Sequence, residues 1–242
     1  MKKFNKFECD FIIENVIKES AEKSVYGALM KRNISTFETT FEEKVVIIKI
    51  LKTSEREIMF LTSLKHQGIP KLLMMWVDDD YIVIIQEKIT GLNLFDYLNS
   101  YKNIPNSNRI MMAYNLAKIL AYLHKGCGYD IIHGDISPNN ILISNMDELY
   151  LIDFGSSFSK AIVKREKFYY GTKGYFSPKL IETPMSVDKG VDIYSFSMIL
   201  KLLGIDKISI EGYELYKKCL EKSYSYDFDI ELVMEELLYI LN

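Results

Sequence analysis

The sequence lacks the features that mark secreted, membrane-spanning and disulfide-stabilised proteins. Its three cysteines, Cys9, Cys127 and Cys219, are odd in number and far apart, so they predict neither a disulfide framework nor a zinc site. The longest apolar stretches, such as 72–77 and 81–85, are the size of a strand and too short to span a membrane. The start, MKKFNKFECD, has no long apolar segment for secretion. We therefore expect a cytoplasmic protein without a membrane partner.

The chain also lacks an excess of positive charge. Its 30 Lys and Arg face 33 Asp and Glu, which gives a formal net charge of -3. Because a phosphate backbone is bound by clustered positive charge, we expect no nucleic-acid partner. The 242 residues, 48% of them hydrophobic, can bury one sizeable core or two small ones. No internal repeat, low-complexity tract or Pro/Gly-rich linker divides the chain.

Apolar periodicity separates a sheet-rich half from a helical half. Residues 11–90 alternate short apolar runs with polar turns, and KVVIIKI and YIVIIQE are typical of strands buried on both faces. One helix is predicted in SEREIMFLTSLKH, behind a Ser54 cap. After Gly91, the apolar residues of MMAYNLAKILAYLHK and DKGVDIYSFSMILKLLGI recur at three- and four-residue steps. The two halves are predicted to be lobes around a hinge.

The strongest chemical signal is IIHGDISPNNILIS followed by LYLIDFGSS. These segments place Asp135, Asn140 and Asp153 in one short region between apolar strands. Mg²⁺ takes hard oxygen ligands and keeps several waters, so Asp153, the Asn140 amide oxygen and nucleotide phosphates form a suitable shell. Asp135 then remains to accept a proton from an attacking hydroxyl, or to orient it.

These motifs resemble those of the protein kinase superfamily, in its eukaryotic-type Ser/Thr branch. The family's catalytic loop reads H-R-D with an asparagine five residues later, and its metal loop reads D-F-G; here they stand as HGD, Asn140 and DFG. Lys49 matches the third-strand lysine and Glu57 its ion-pair partner. GTKGYFSP matches the end of the activation segment, and Asp192 matches the buried aspartate that anchors the catalytic loop.

The resemblance implies an α+β, two-lobed kinase fold and a set of site residues. A small antiparallel-sheet N-lobe with one helix is expected over 1–88, and a mainly helical C-lobe with a shortened end over 89–242. ATP and Mg²⁺ are the implied cofactors, and the reaction is phosphoryl transfer to a protein Ser or Thr. The implied catalytic residues are Asp135, Lys49, Glu57, Asn140 and Thr172, with Asn140 and Asp153 on the metal. The implied ATP-binding residues are Lys49, Val25, Ile47, Gln86, Glu87, Ile89, Leu142 and Asp153. A spine of Leu72, Leu61, His133 and Phe154 is expected to join the lobes.

The chain departs from the family at several positions. KESAEK (18–23) replaces the glycine-rich phosphate loop and has no glycine, so we predict weakened ATP binding. Ile47 replaces the small residue that in the family covers one side of the adenine. Ser137 replaces the lysine that neutralises the transferring phosphate. Gly134 replaces the arginine that binds an activation-loop phosphate, so no phosphorylation switch is expected. Modification in cis stays open at Ser156, Ser157, Ser159, Tyr169, Tyr170 and Thr172.

Two further departures concern the C-lobe. Lys179 and Asp227 replace the family's glutamate and arginine with inverted charges, which predicts a retained salt bridge. The passage 204–214 is shorter than in the family, so the helix that often docks protein substrates is predicted to be missing. Substrate choice would then depend on the activation segment or on a regulatory protein.

Two other functions stay open beside the protein kinase. The missing glycines, Ile47 and Ser137 fit a pseudokinase scaffold, although the five polar core residues are all retained. HGD in place of HRD, with Ser137, is similar to aminoglycoside and choline kinases and so to a small-molecule kinase. GTKGYFSP favours a protein substrate. The substrate and the oligomeric state do not follow from the sequence.

Overall fold

The computed structural model describes residues 3–6, 9–20, 23–33, 41–52, 62–79, 81–128, 130–159, 171–178, 188–223 and 228–242. The chain forms two compact units, the first comprising Met1–Thr62 with Pro70–Ile89 and the second Ser63–Ile69 with Thr90–Asn242. The sequence places one boundary between residues 88 and 89. The structure divides the chain one residue later and assigns the segment 63–69 to the second unit.

The first unit contains a six-stranded antiparallel sheet. Its strands are β1 (Lys3–Lys6), β2 (Cys9–Glu19), β3 (Lys23–Asn33), β4 (Phe41–Lys52), β5 (Leu72–Asp78) and β6 (Tyr81–Glu87), in the order β1-β2-β3-β4-β6-β5. The expected antiparallel sheet is thereby confirmed. The edge strand β1 was not predicted from the sequence, because its four residues, KFNK, are too few to show a strand periodicity.

The two faces of this sheet carry different chemistry, because side chains alternate along a strand. One face forms the core, with Ala28, Met30, Val46, Ile48, Val83 and Ile85 packed beside Cys9 and Phe11. On the other face, Val25 lies opposite Lys49, and Ile47 lies opposite Gln86. Residues directly opposite in an antiparallel pair share a face. Four of the expected ATP-binding residues therefore lie on one face of the sheet.

The second unit is mainly helical, as expected. Its described helices are α1 (Leu94–Ser100), α2 (Asn106–Ala121), α3 (Gly190–Leu203), α4 (Ile210–Lys222) and α5 (Ile230–Leu241). Its short strands are β7 (Gly91–Asn93), β8 (Ile131–Ile132), β9 (Ile141–Ser144), β10 (Leu149–Leu151) and β11 (Phe158–Ser159), arranged as a sheet β10-β9-β7 and a pair β11-β8. These strands frame the loops that carry the predicted catalytic residues.

Helix α3 is the buried helix that its dense apolar pattern predicts. It ends at Gly204, whose φ of 74° allows a left-handed cap. Within the fully described stretch 188–223, only a 3₁₀ turn (Ile205–Lys207) separates α3 from α4. The predicted loss of a helix at this point is confirmed for that stretch. Across the described residues, no helix combines the length and the apolar character needed to cross a membrane.

Several predicted features lie outside the described residues. They are Glu57 and Leu61 in the predicted helix, Tyr169 and Tyr170 in the activation segment, and the Lys179–Asp227 salt bridge. Each of them stays a prediction.

Candidate active site

Asp135 lies in the loop between β8 and the 3₁₀ turn Pro138–Asn140. Its Oδ1 accepts hydrogen bonds from the Thr172 N–H at 2.8 Å and the Thr172 hydroxyl at 2.9 Å. Its Oδ2 accepts a hydrogen bond from Nδ2 of Asn140 at 2.9 Å. The structure thus brings together three residues that the family resemblance implies are catalytic.

The amide of Asn140 is oriented by Asp135. Its Nδ2 also donates to the Asp135 carbonyl at 2.8 Å, so both of the Asn140 contacts to Asp135 use the NH₂ group. The amide oxygen is then the atom suited to a metal ion. The Asn140 carbonyl accepts from the Ile152 N–H at 2.9 Å, which fixes the backbone next to Asp153. These residues therefore fit the one-carboxylate, one-amide part of a magnesium shell.

Asp153 holds an uncommon backbone conformation. Its φ is 66° and its ψ is 75°, in the left-handed region that costs a non-glycine residue about 1 to 3 kcal/mol. Among the described residues, no three His, Cys, Asp or Glu side chains converge as a metal cluster. A magnesium ion that is also held by phosphates and waters does not need such a cluster.

The catalytic loop is anchored by Asp192, a fully buried residue in the first turn of α3. Its Oδ2 accepts from the His133 N–H at 2.8 Å and lies 2.9 Å from Nε2 of His124, while its Oδ1 accepts from the Gly134 N–H at 2.9 Å. Burial alone would raise the pKa of Asp192, but the contacts with His124, His133 and Gly134 outweigh burial and lower it. Asp192 is therefore ionised at neutral pH, and it anchors the catalytic loop as the family resemblance implies.

His124 is a site residue that sequence reasoning did not single out. It is buried at the end of the long α2 segment, in the turn Tyr122–Gly126, and is separated from Asp192 by 68 positions. Its only sequence signal is a histidine on the apolar side of a helical pattern. A pairing across that distance depends on tertiary packing, which periodicity does not reveal.

The backbone at Gly134 follows a path that suits glycine. Its φ is 79°, and an added Cβ would lie 2.7 Å from the Ser156 carbonyl oxygen. An arginine could not take this position without movement of the loop. The neighbouring His133 donates from Nε2 to the Ile152 carbonyl at 3.2 Å, and its ring meets Phe154 edge-on with centroids 4.9 Å apart. Two members of the predicted spine therefore touch.

The turn that carries Thr172 is fixed to α3. The N–H groups of Tyr175 and Phe176 donate to the Thr172 carbonyl at 2.9 and 3.3 Å. The Ser195 hydroxyl, on α3, donates to the Tyr175 carbonyl at 2.7 Å. Helix α3 therefore positions both the catalytic loop and the threonine that contacts Asp135.

Several serines near the site are buried. Ser137 is fully buried, and its hydroxyl has no hydrogen-bond partner among the described residues. Ser157 and Ser159 are also fully buried, and the Ser157 hydroxyl donates to the His133 carbonyl at 3.2 Å. The burial of these last two serines disfavours their modification in the folded chain, and modification in cis stays a prediction.

In the first unit, Ser20 and Lys23 bond to each other where the family has its glycine-rich loop. The Ser20 N–H and hydroxyl both donate to the Lys23 carbonyl, at 3.0 and 2.8 Å. The Lys23 N–H donates back to the Ser20 hydroxyl at 3.1 Å. The N–H groups of these two residues are therefore bonded within the pair, whereas a phosphate-binding loop directs N–H groups at its ligand.

The other expected ATP-binding residues lie on described strands or next to them. Lys49 on β4 is 8% exposed, and Gln86 on β6 is buried. Glu87 exchanges backbone and side-chain hydrogen bonds with Lys71, and Ile89 follows it at the end of the first unit. Leu142, in the second unit, is half-buried on β9.

Comparison with known proteins agrees with the motifs and the fold. The family described as protein kinase domain matches residues 21–231, most of the chain. The chain belongs to the protein kinase family.

Several curated relatives are similar to this chain. An Aurora kinase from Yarrowia lipolytica is 28% identical over 193 residues, covering 79% of this chain and 51% of that protein. The serine/threonine-protein kinase cds1 of Schizosaccharomyces pombe is 30% identical over 189 residues, which cover 75% of this chain and 40% of that protein. Wall-associated receptor kinase-like 10 of Arabidopsis thaliana is 28% identical over 198 residues, which cover 79% of this chain and 25% of that protein. The chain thus spans between a quarter and about half of these relatives.

Proposed function

We propose that this chain is an ATP- and Mg²⁺-dependent protein kinase that phosphorylates serine or threonine. The observation that carries the proposal is the hydrogen-bonded group of Asp135, Asn140 and Thr172. A carboxylate with donors on both oxygens is held in one orientation, which suits the positioning of an acceptor hydroxyl. A scaffold that only bound nucleotide would not need this arrangement.

Each proposed site residue of the second unit has a distinct role in the reaction. Asp135 orients the acceptor hydroxyl and takes its proton. The Asn140 amide oxygen and the Asp153 carboxylate would hold Mg²⁺, which neutralises charge on the phosphates when it is bound. Thr172, through its hydroxyl on Asp135 Oδ1, supports a preference for Ser and Thr acceptors. In the first unit, Lys49 is assigned to the α and β phosphates, with Glu57 as its partner.

A nucleotide-binding or nucleotide-free scaffold is the second candidate, and two observations favour it. The N–H groups of Ser20 and Lys23 are bonded between these two residues, and the buried Ser137 adds no positive charge to the catalytic loop. Both features remove stabilisation of phosphate charge. They predict slow turnover if the chain is a kinase, and no turnover if it is a scaffold.

Radiolabelled-phosphate transfer distinguishes these functions. The chain is incubated with labelled ATP and Mg²⁺, alone, with a generic protein substrate, and with a metabolite pool. Asp135→Asn removes the proposed base, and Glu235→Gln, at an exposed position of α5, makes the same chemical change away from the site. Label on protein that is lost in Asp135→Asn alone supports the protein kinase. Label only on metabolites indicates a small-molecule kinase, and no label in any sample indicates the scaffold.

A further inference from the structure

The second unit contains a cavity that none of the proposed catalytic residues lines. Its volume is about 180 Å³, and its walls come from the segment 63–69, α2, and the β9–β10 turn with the start of β10. Pockets for drug-sized ligands usually run from about 300 to 1,000 Å³. This cavity therefore suits a small metabolite.

The wall formed by the segment 63–69 is fixed in place. The Gly68 carbonyl accepts from the Leu151 N–H at 2.8 Å. A Cβ at Gly68 would lie 2.6 Å from Cδ1 of Ile119, so the segment lies directly against α2. The Tyr122 hydroxyl accepts from the Lys65 N–H at 2.7 Å. The cavity is thus preformed by the fold.

His66 presents a defined imidazole to this cavity. Its Nδ1 accepts a hydrogen bond from the Gly68 N–H at 3.0 Å, so the proton of the neutral ring is on Nε2. The ring packs on Tyr122 with centroids 5.0 Å apart. Burial, and then the charge of Lys118, lower the pKa of His66. His66 is therefore a neutral hydrogen-bond donor near pH 7.

Lys118, on α2, is the second basic group that lines the cavity. It is half-buried, and its ammonium forms no ion pair or hydrogen bond within the described part of the chain. Two basic side chains that face one cavity repel each other when both are protonated. An anion between them would remove that cost.

Two carboxylates, Asp147 and Glu148, also line the cavity. Each accepts a hydrogen bond from a tyrosine hydroxyl, Asp147 from Tyr97 at 3.5 Å and Glu148 from Tyr150 at 3.0 Å. Both residues are exposed at the rim, where water screens their charge. They add acceptors for ligand hydroxyl or amino groups.

We propose that this cavity binds a small anionic metabolite, with its carboxylate or phosphate group on the Lys118 ammonium and the His66 Nε2–H. Hydroxyl or amino groups of the same ligand would face Asp147 and Glu148. The site is separate from the proposed phosphotransfer chemistry and does not depend on it.

Titration of the histidine ring protons by NMR, with inorganic phosphate as the probe, tests this site. The chain has three histidines, and His124 and His133 are buried, so the half-exposed His66 is readily distinguished. Phosphate is compared with sodium chloride at equal ionic strength, because salt alone weakens the effect of Lys118. We expect phosphate to raise the pKa of His66 by about one unit.

Variants on α2 assign the effect to the cavity. Lys118→Gln should remove the response to phosphate and Lys118→Arg should keep it; each variant is compared with its own chloride titration. Asn115→Asp, which adds negative charge to the same wall, should also remove the response while Lys118 is retained. Identical titrations in phosphate and chloride, or an unchanged response in Lys118→Gln, would overturn the proposal. A response to Mg²⁺ in place of phosphate would overturn it as well.

Discussion

Asp135 is held in one orientation by donors on both of its carboxylate oxygens. The Thr172 N–H and hydroxyl both donate to Oδ1, and the Asn140 side-chain amide donates to Oδ2. Hydrogen bonds to a charged group contribute about 1.5 to 3 kcal/mol each. Loss of any one donor should therefore weaken the hold on the carboxylate orientation as well as lower the stability of the fold.

Thr172→Ala tests the hydroxyl contact. The N–H bond to Oδ1 remains, but Asp135 loses one charge-assisted donor, so we expect kcat to fall about tenfold with little change in KM for ATP. Thr172→Ser keeps the hydroxyl and should retain most of the activity. Steady-state phosphotransfer assays measure both variants. Equal rates for the alanine variant and the unchanged chain would contradict a role for this hydroxyl.

Gly134→Ala tests the backbone path of the catalytic loop. The substitution imposes strain at a φ of 79° and places Cβ 2.7 Å from the Ser156 carbonyl oxygen, so we expect a loss of about 2 to 3 kcal/mol in the free energy of unfolding. Gly128→Ala is the matched control, since Gly128 also has a φ of 79° but an added Cβ meets nothing within 4 Å. The control should lose only about 1 kcal/mol in urea unfolding. Similar losses in both would show that the Ser156 contact is unimportant.

Among the elements of the second unit, α3 has the largest influence on the site. Asp192 in its first turn holds the catalytic loop, and Ser195 one turn later holds the Thr172 turn through the Tyr175 carbonyl. Both contacts reach backbone atoms of the loops, so they fix the path of the loops whatever rotamers the loop side chains adopt. One helix thus sets the distance between Asp135 and Thr172.

Asp192→Asn tests this anchor. An amide has one accepting atom where the carboxylate has two, so the N–H of His133 or Gly134 loses its partner inside the protein. We expect the free energy of unfolding to fall by about 3 to 5 kcal/mol, measured by urea unfolding. Ser197→Ala, at a buried hydroxyl that donates to the nearby Tyr194 carbonyl of α3, should lose less than about 1.5 kcal/mol. A loss for Asp192→Asn no greater than this control would exclude the anchoring role.

The β2–β3 hairpin yields a prediction for nucleotide affinity. Ser20→Gly removes the hydroxyl that occupies the Lys23 N–H and allows a closer approach to phosphate. One recovered hydrogen bond of about 1 kcal/mol predicts ATP binding about fivefold tighter by calorimetry. Ser20→Ala removes the hydroxyl but keeps Cβ, and should gain less. Equal ATP affinity in Ser20→Gly and the unchanged chain would show that this turn does not limit binding.

The elements differ in how far the sequence predicts them. Helices α2 and α3 and strands β4 and β6 follow from apolar periodicity, because each buries a wide face. Strand β1 does not, since it is short and polar. Asp135 and Asn140 are close in sequence, so their proximity is local. The Thr172 and Asp192 contacts span 37 and 58 positions and were predictable only through the family resemblance. The cavity beside His66 was not predictable, because three separate elements build it.

For the molecule as a whole, the carboxyl and histidine groups with shifted pKa values act on stability in the same direction. Burial raises the pKa of Asp229, but its bonds with Lys125 and the Glu231 N–H lower it overall. The pKa of Asp192 is lowered too, and so is that of His66. In each case the unfolded chain binds the proton more readily than the folded chain. Stability therefore increases with pH wherever these groups titrate.

We accordingly expect the free energy of unfolding to rise from acid to neutral pH. The contribution of His66 is present above its ordinary pKa near 6.5 and is lost as the pH falls through its lowered value. The contributions of Asp192 and Asp229 are present above about pH 4 and are lost below it. Urea unfolding followed by the helical signal in circular dichroism, at a series of pH values, measures this dependence. His66→Gln should flatten the curve between about pH 5 and 7 and leave the acid limb intact. An unchanged chain that is most stable at acid pH would contradict the lowered pKa values, and with them the ionised state assigned to the Asp192 anchor.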